Sequence, residues 1–513
     1  MEILLWGGGL RFGQALLQAA PTIVVGLFVA GILRRLLGYE NTRRLFGGNS
    51  WRSLPQAWAV GMLLPVCSLG VIPIIREMRR VGLSGGTILA FALSAPLFNP
   101  LSLLYGLTLS EPLVIFAFAA CSLVVVTLIG MAWDRIFPQT TAPEPPPAPT
   151  SYGLKRMASI LLAAVREAAG PSAIYILIGL CGTVLLSFAL PPGSMQHAVN
   201  GDNHYAPLVM TGVAIPVYAT PMLAMSQLGM MFQHGNSVGA AFVLLALGTG
   251  LNLGLLVWMV RQYGFGRAFT WLSTLVVVVL GIAYAVEKPL YPTEIEASDH
   301  THAFDIYCQP FTEGVANPAQ QVWSKLDGDA QAHELIGLGF LAALVLLGIG
   351  FNVFDPKRKT EAWLESGAEK QVDKFDIVVP APVLGFVALV GLVAMSIVGC
   401  YAYYPPADEI FEEMRIAQGE ALSAARSGNH SHAEYWIAVW DDWTRRLQVG
   451  VTIRKGSLPK YHRLKSEILR FKLELLEHEL EDGTEEEVWD ATTAVSNAYR
   501  RMLFAYREEL SGD

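Results

Sequence analysis

The sequence predicts an all-α polytopic membrane protein. It comprises two inverted repeats, each with a re-entrant, Pro-broken helical segment, followed by an added transmembrane hairpin and a C-terminal helical bundle. Three observations carry that prediction: the composition is too apolar for a water-soluble chain of this size, a Gly, Ser, Gly, Asn pattern occurs twice at identical spacing, and Arg and Lys gather in particular loops.

Apolar residues make up 53% of the 513 residues and charged residues 16%, with a mean hydropathy of +0.41. A soluble domain does not keep that balance. The net charge of -8 resides mostly in the loops and the C-terminal quarter, so it marks no nucleic-acid partner. Cys67, Cys121, Cys181, Cys308 and Cys400 are scattered with no CxxC pair, which argues against a disulfide framework or a zinc knuckle. No basic n-region or small-residue cleavage site precedes the first apolar stretch, which is expected to stay in the mature chain.

Continuous apolar stretches of about 20 residues, enough to cross ~30 Å of hydrocarbon, run near 15–33, 87–108, 112–132, 171–190, 238–260, 268–286, 335–354 and 381–400. Two more, near 54–75 and 206–231, are interrupted, the first by Pro65, Gly70 and Pro73 and the second by Gly212, Pro216 and Pro221. Each proline removes a backbone donor and clashes with the preceding turn, so both helices should break within the membrane. These segments place a first repeat at 1–136, a Pro-rich cytoplasmic linker at 137–150 and a second repeat at 151–287. An extracytoplasmic loop follows at 288–333, then the added hairpin at 334–404. Residues 405–513 complete the chain as a soluble, extracytoplasmic bundle, with Trp436, Trp440, Trp443 and Leu447, and Leu469, Leu473, Leu476 and Leu480, at helical spacing.

Charge assigns sides, because short loops rich in Lys and Arg stay cytoplasmic. Arg34, Arg35, Arg43, Arg44 and Arg52 precede the first broken segment, and Arg76, Arg79 and Arg80 follow it, so both of its ends belong on one side. Residues 191–205 and 232–237, which flank the second broken segment, contain no Lys or Arg. The first segment is then re-entrant from inside and the second from outside. In the alternative, both segments cross fully as a parallel repeat, which would place Arg76, Arg79 and Arg80 outside.

Gly82, Ser84, Gly86 and Asn99 recur as Gly235, Ser237, Gly239 and Asn252. One copy would read as small residues that let helices pack closely. Two copies, each after a Pro-broken segment, match the way transporters build a midplane site from paired discontinuous helices.

The run Pro65-Val66-Cys67-Ser68-Leu69-Gly70-Val71-Ile72-Pro73 leads to the first Gly, Ser, Gly set and then to Ala95-Pro96-Leu97-Phe98-Asn99-Pro100. It resembles the signature of the ArsP-type predicted permeases, some of which export trivalent organoarsenicals. The resemblance covers about residues 10–290 and continues through Ile215-Pro216-Val217-Tyr218-Ala219-Thr220-Pro221. It implies a permease of the plasma or inner membrane that moves a small solute, of metalloid or organometalloid class by analogy, in the efflux direction. The family signature commonly reads Cys-Ser-Cys-Gly. Here Leu69 takes the third position and Tyr218 stands near where the second repeat would carry a cysteine, so Cys67 is the one thiol at the site. Two thiolates hold a trivalent arsenical far better than one, and the cargo stays open.

No Asp, Glu, Lys, Arg or His lies inside an assigned span, so a buried carboxylate relay for protons is not expected. No P-loop motif occurs, and no nucleophile, base and orienting group lie together, so the chain is not read as an enzyme and no cofactor is expected. The expected substrate-binding set is Cys67, Ser68, Pro73, Ser84, Asn99, Tyr218, Thr220, Pro221, Ser237 and Asn252. These residues suit a neutral or weakly polar solute, or an anion at half-helix N-termini. His300, His302 and Cys308 form a candidate metal set in the outer loop, and His430, His432 and Glu434 a second one. The alternative function is a membrane-anchored sensor or metal-capture protein with an inactive permease core. In either case the bundle is the expected surface for a protein partner or a second copy of the chain.

Overall fold

In the computed structural model, described over residues 2–48, 50–110, 112–138, 154–291, 301, 303–311, 317–365 and 381–510, the regular elements are helices, with one isolated antiparallel bridge between Asn200 and Asn236. The Pro-rich linker expected at 137–150 falls almost wholly outside the described residues.

The first half contains α1 (Glu2–Ile32), continued by a π-helical turn at Leu33–Leu37 into α2 (Gly38–Leu45). Four short helices follow: α3 (Ser53–Leu63), α4 (Val71–Arg80), α5 (Gly85–Ser94) and α6 (Pro100–Leu109). The long α7 (Pro112–Ile136) closes the half. The second half repeats this order. The amphipathic α8 (Leu154–Ala168) leads into α9 (Pro171–Ala189). Short helices α10 (Ala206–Ala214), α11 (Pro221–Gln233), α12 (Val238–Val243, with a π-helical continuation Leu244–Thr249) and α13 (Leu253–Tyr263) precede the long α14 (Phe265–Glu287).

Of the described helices, α7, α9 and α14 are long and apolar enough to cross a membrane, as is α1 taken through Leu45. Apart from the 6-residue α12, which continues as a π-helix to Thr249, the short helices are 9 to 13 residues, so each reaches only about 14–20 Å at 1.5 Å per residue, roughly half of a hydrocarbon core. Breaks at 64–70 and 215–220 lie where the prolines predict them. Two further breaks, at 95–99 and 250–252, interrupt stretches that hydropathy alone reads as continuous spans, and the second bends its helix pair by 59°. Asparagine is the cause. The Ser102 N–H donates to Asn99 Oδ1 at 2.7 Å while Ser102 Oγ accepts from the Asn99 N–H at 3.0 Å. Asn252 Oδ1 accepts the Leu255 N–H at 2.8 Å. An N-cap starts a new helix, and Pro100 at the first helical position reinforces the first one.

Contacts at the helix ends fix how the short pairs enter and leave. Ser53 at the start of α3 shares a 2.6 Å hydroxyl contact with Thr87 at the start of α5, and α4 ends only five residues before α5 begins. In the second half, the Ser237 N–H at the start of α12 donates to the Val199 carbonyl at 2.9 Å, and Asn236 pairs with Asn200, just ahead of α10. The two ends of each broken pair therefore lie together.

Beyond the repeats come α15 (Pro318–Asp329), the apolar α16 (Ala332–Phe354), which is long enough to span, α17 (Lys359–Glu365) and α18 (Ala381–Tyr403). The chain divides into two compact units. One comprises Met1–Leu103 with Leu113–Ala394, and the other comprises Leu104–Pro112 with Met395–Asp513. In the second unit, α19 (Ala407–Arg426), α20 (His430–Lys455), α21 (Lys460–Asp482) and α22 (Glu485–Leu510) form the expected helical bundle. Its core buries Trp440, Leu447, Leu469, Leu473, Leu476 and Leu480, with Trp436 and Trp443 packed against them. Asp441 in this core binds Arg445 at 2.6 Å and Arg470 at 2.8 Å. Burial alone would raise the Asp441 carboxyl; the two guanidiniums overcome it and hold the group below its ordinary value.

Candidate functional site

The duplicated motif is a helix-start device used twice. Gly82 and Gly235 have φ of +79° and +63°, a left-handed conformation that glycine adopts without strain. Ser84 then caps α5 through the Thr87 N–H and donates its hydroxyl to Asp134 at 2.8 Å, while the Gly86 N–H reaches the same carboxylate at 2.8 Å. Ser237 caps α12 through the Ala240 N–H, and Glu287 accepts from the Ser237 hydroxyl at 2.8 Å and the Gly239 N–H at 2.6 Å. A Cβ on Gly86 would stand 2.6 Å from Asp134, and one on Gly239 2.6 Å from Glu287. Both carboxylates come from the last turn of a long helix, α7 or α14. The repeated Gly, Ser and Gly residues thus start and anchor two half-helices, and the Asn residues start the next two.

The four breaks converge. The glycines of α1 and α9 allow the approach: a Cβ on Gly26 would lie 2.0 Å from the Gly70 carbonyl, and one on Gly182 1.8 Å from the Pro216 carbonyl. Gly179 of α9 accommodates both Leu69 from the first break and Asn252 from the last, while Gly250 sits against the Leu93 carbonyl and Leu97 at the α5–α6 break.

Cys67 is fully buried at the centre of this arrangement; its sulfur accepts the Thr22 hydroxyl at 2.9 Å and the Gly70 N–H at 3.4 Å. Tyr218 stands against Cys67 and Thr22 from the opposite break. The two residues occupy matching positions, each second after a proline, in Pro65-Val66-Cys67 and Pro216-Val217-Tyr218. The Ser68 hydroxyl and the Asn252 side-chain nitrogen are buried without a hydrogen-bond partner among the described residues. Such buried polar groups are costly to leave unpaired.

The remaining expected residues lie at helix starts. Pro73 lies in the first turn of α4, Thr220 caps α11 through the Leu223 N–H at 3.1 Å, and Pro221 opens that helix. Hydropathy did not reveal Thr22, Asp134 or Glu287. The carboxylates had a signal, since each lies fifty residues after its motif serine and the two are separated by the repeat interval.

On the far side, residues 303–311 fold inward. Gln227 donates to the Ala303 carbonyl and accepts the Tyr307 hydroxyl, each at 2.8 Å, and Arg11 donates to the Cys308 carbonyl at 3.0 Å. His300 and His302 lie outside the described residues. Cys308 is buried beside the Ser194 hydroxyl at 3.7 Å, and burial pushes its thiol above the ordinary value. His430 turns to the Leu480 carbonyl and His432 to Glu420, so this pair does not converge, and no cluster of three metal-ligating side chains occurs among the described residues.

Comparison with known proteins agrees with this architecture. The profile of ArsP_1, described as a predicted permease, matches residues 11–288. The chain is 24% identical over 276 residues to the UPF0718 protein YcgR of Bacillus subtilis, covering 52% of this chain and 93% of that protein. It is 27% identical over 117 residues to the UPF0718 protein MJ0584 of Methanocaldococcus jannaschii, covering 22% of this chain and 32% of that one. No solved structure matches.

Proposed function

The chain belongs to the ArsP_1 family of predicted permeases and is a multi-pass membrane transporter, and from that premise we propose that it exports a small metalloid or organometalloid across the cell membrane through the site where the two Pro-broken segments meet. The juxtaposition of Cys67 with Tyr218 carries this reading. A thiol is the soft ligand that such a solute requires. The buried, unpartnered Ser68 and Asn252 groups would take its hydroxyls.

The two halves are inverted in this proposal. Two sets of contacts support it. The end of α1 meets the end of α4 through Arg34 and Glu77, and the start of α9 joins them through Arg76, Glu167 and Ser172. The end of α9 meets the start of α1, where a Cβ on Gly8 would touch Phe188. Helices α1 and α9 then run antiparallel, with the first broken pair entering from one side and the second from the other. Alternating access would rock one half against the other about the shared breaks.

The test is accumulation in cells. Cells expressing the wild-type chain, challenged with trivalent methylarsenical, arsenite or antimonite, should retain less of at least one of them than empty-vector cells. Cys67→Ala and Tyr218→Phe should lose that difference at equal membrane abundance. Equal accumulation for all three solutes would contradict the cargo class, and full export by both variants would contradict the site.

A further inference from the structure

A separate cavity of about 660 Å³ lies at the end of the molecule that carries the basic loops, and its wall presents Arg34, Arg35, Arg76, Arg80, Arg166 and Arg358. These residues come from the π-helical turn after α1, from α4, from α8 and from the α16–α17 connection. Sequence places them far apart, and the fold gathers them. Glu167 and Glu361 are the acids in the wall, while Glu77, Asp355 and Glu365 stand behind it as partners of Arg34 and Arg80, Arg166, and Arg35. Six guanidiniums bring some thirty N–H donors to one place, beyond what five carboxylates accept. The wall therefore keeps capacity for an anion, and planar guanidiniums match phosphate geometry best.

The opposite wall indicates which anion. It is apolar, formed by Ala173, Ile174, Val345 and Ile349 of α9 and α16. Ile174 and Ile349 are 57% and 51% exposed on helices that span the membrane, so the cavity opens sideways toward lipid. Helix α8, which supplies Ala163 and Arg166, also exposes Leu154, Met157 and Leu161 on one face, as a helix lying at the headgroup level does. A charged head on the arginines with an apolar body on Ile174, Val345 and Ile349 is the shape of a lipid. A basic pocket between spans is where anionic headgroups bind.

We propose that this cavity binds the phosphate of an anionic phospholipid, with the acyl chains lying along α9 and α16. The site is independent of the transport site and of its cargo.

The experiment titrates the purified full-length protein in detergent with phosphatidylglycerol, phosphatidylcholine or glycerol 3-phosphate and reads bound lipid by native mass spectrometry. Phosphatidylglycerol should bind about tenfold more tightly than phosphatidylcholine, and Arg34→Gln with Arg358→Gln should weaken it about thirtyfold, at roughly 1 kcal/mol for each of the two basic side chains. These two are the least committed arginines, since Arg34 reaches Glu77 only at 3.8 Å and Arg358 is 60% exposed. Arg34→Lys with Arg358→Lys should keep most of the binding, and the exposed Arg43→Gln, outside the cavity, should keep all of it. Equal binding of the two lipids would overturn the proposal, as would unchanged binding by the Gln pair. Glycerol 3-phosphate binding as tightly as the lipid would overturn it in favour of a soluble anion. If the Gln pair does not fold, the three wild-type titrations decide alone.

Discussion

Ser84 donates its hydroxyl to Asp134 at 2.8 Å, and Ser237, one repeat later, donates to Glu287 at 2.8 Å, with fifty residues between donor and acceptor in each half. An N-terminal half-helix that begins inside a membrane protein leaves backbone N–H groups without partners, and a carboxylate at that end satisfies them and complements the helix dipole. The same solution in both halves ties each Asn-broken helix pair to the long helix that follows it.

Removal of either carboxylate should destabilise the protein to a similar degree. Asp134→Ala and Glu287→Ala each remove the acceptor of a serine hydroxyl and leave a glycine N–H unsatisfied, at a cost of about 2 kcal/mol. Thermal unfolding in detergent should show matched losses, whereas Ser84→Ala should cost less because the carboxylate still accepts the Gly86 N–H.

Gly26→Ala and Gly182→Ala should impair both stability and transport. A methyl at either position overlaps a carbonyl of a break and forces α1 or α9 outward, a change of about 1–3 kcal/mol. Gly212→Ala, where a Cβ meets nothing within 4 Å, is the control and should leave transport unchanged.

Gln227→Leu should release the inner end of the 303–311 segment, since it deletes both the donor to Ala303 and the acceptor of the Tyr307 hydroxyl. Hydrogen exchange at residues 303–309 should quicken by about thirtyfold, the equivalent of two lost buried hydrogen bonds at about 1 kcal/mol each.

The bundle should lose stability in acid through Asp441. Its carboxyl is held below the ordinary value in the folded state, so its contribution is complete above the unfolded value of about 3.9 and is lost as pH falls through the folded value. Asp441→Asn should remove that acid dependence and destabilise the bundle by about 3 kcal/mol, because it strips the charge partner from two buried guanidiniums. Hydrogen exchange in α20 and α21 of the full chain, measured against pH, reads both effects.

Much of this was legible in the sequence, and the exceptions have physical causes. Prolines at 65, 73, 216 and 221 break helices by local sterics, so their segments could be read directly. The breaks before Asn99 and Asn252 were hidden because a single polar residue scarcely lowers the hydropathy of a twenty-residue window, even though Asn-Pro at 99–100 is a helix-start signal. Cys67 and Tyr218 stood out as residues, but their contact, and the part played by Thr22, depend on two segments packing across the core. The arginine cavity was least visible. Its pairs, such as Arg35 with Glu365, join residues 330 positions apart, and no spacing rule reaches that far.

The most direct measurement of the central claim uses the second thiol that this chain lacks. With Cys121, Cys181, Cys308 and Cys400 replaced by Ala, Tyr218→Cys places a thiol opposite Cys67. If both positions face one solute site, the purified variant should bind trivalent methylarsenical about 10²–10⁴-fold more tightly than the Cys67-only protein, because the second bond forms within the same complex. It should also release the solute correspondingly more slowly. An affinity equal to that of the Cys67-only protein would contradict the account, since the two broken segments would then not share a site.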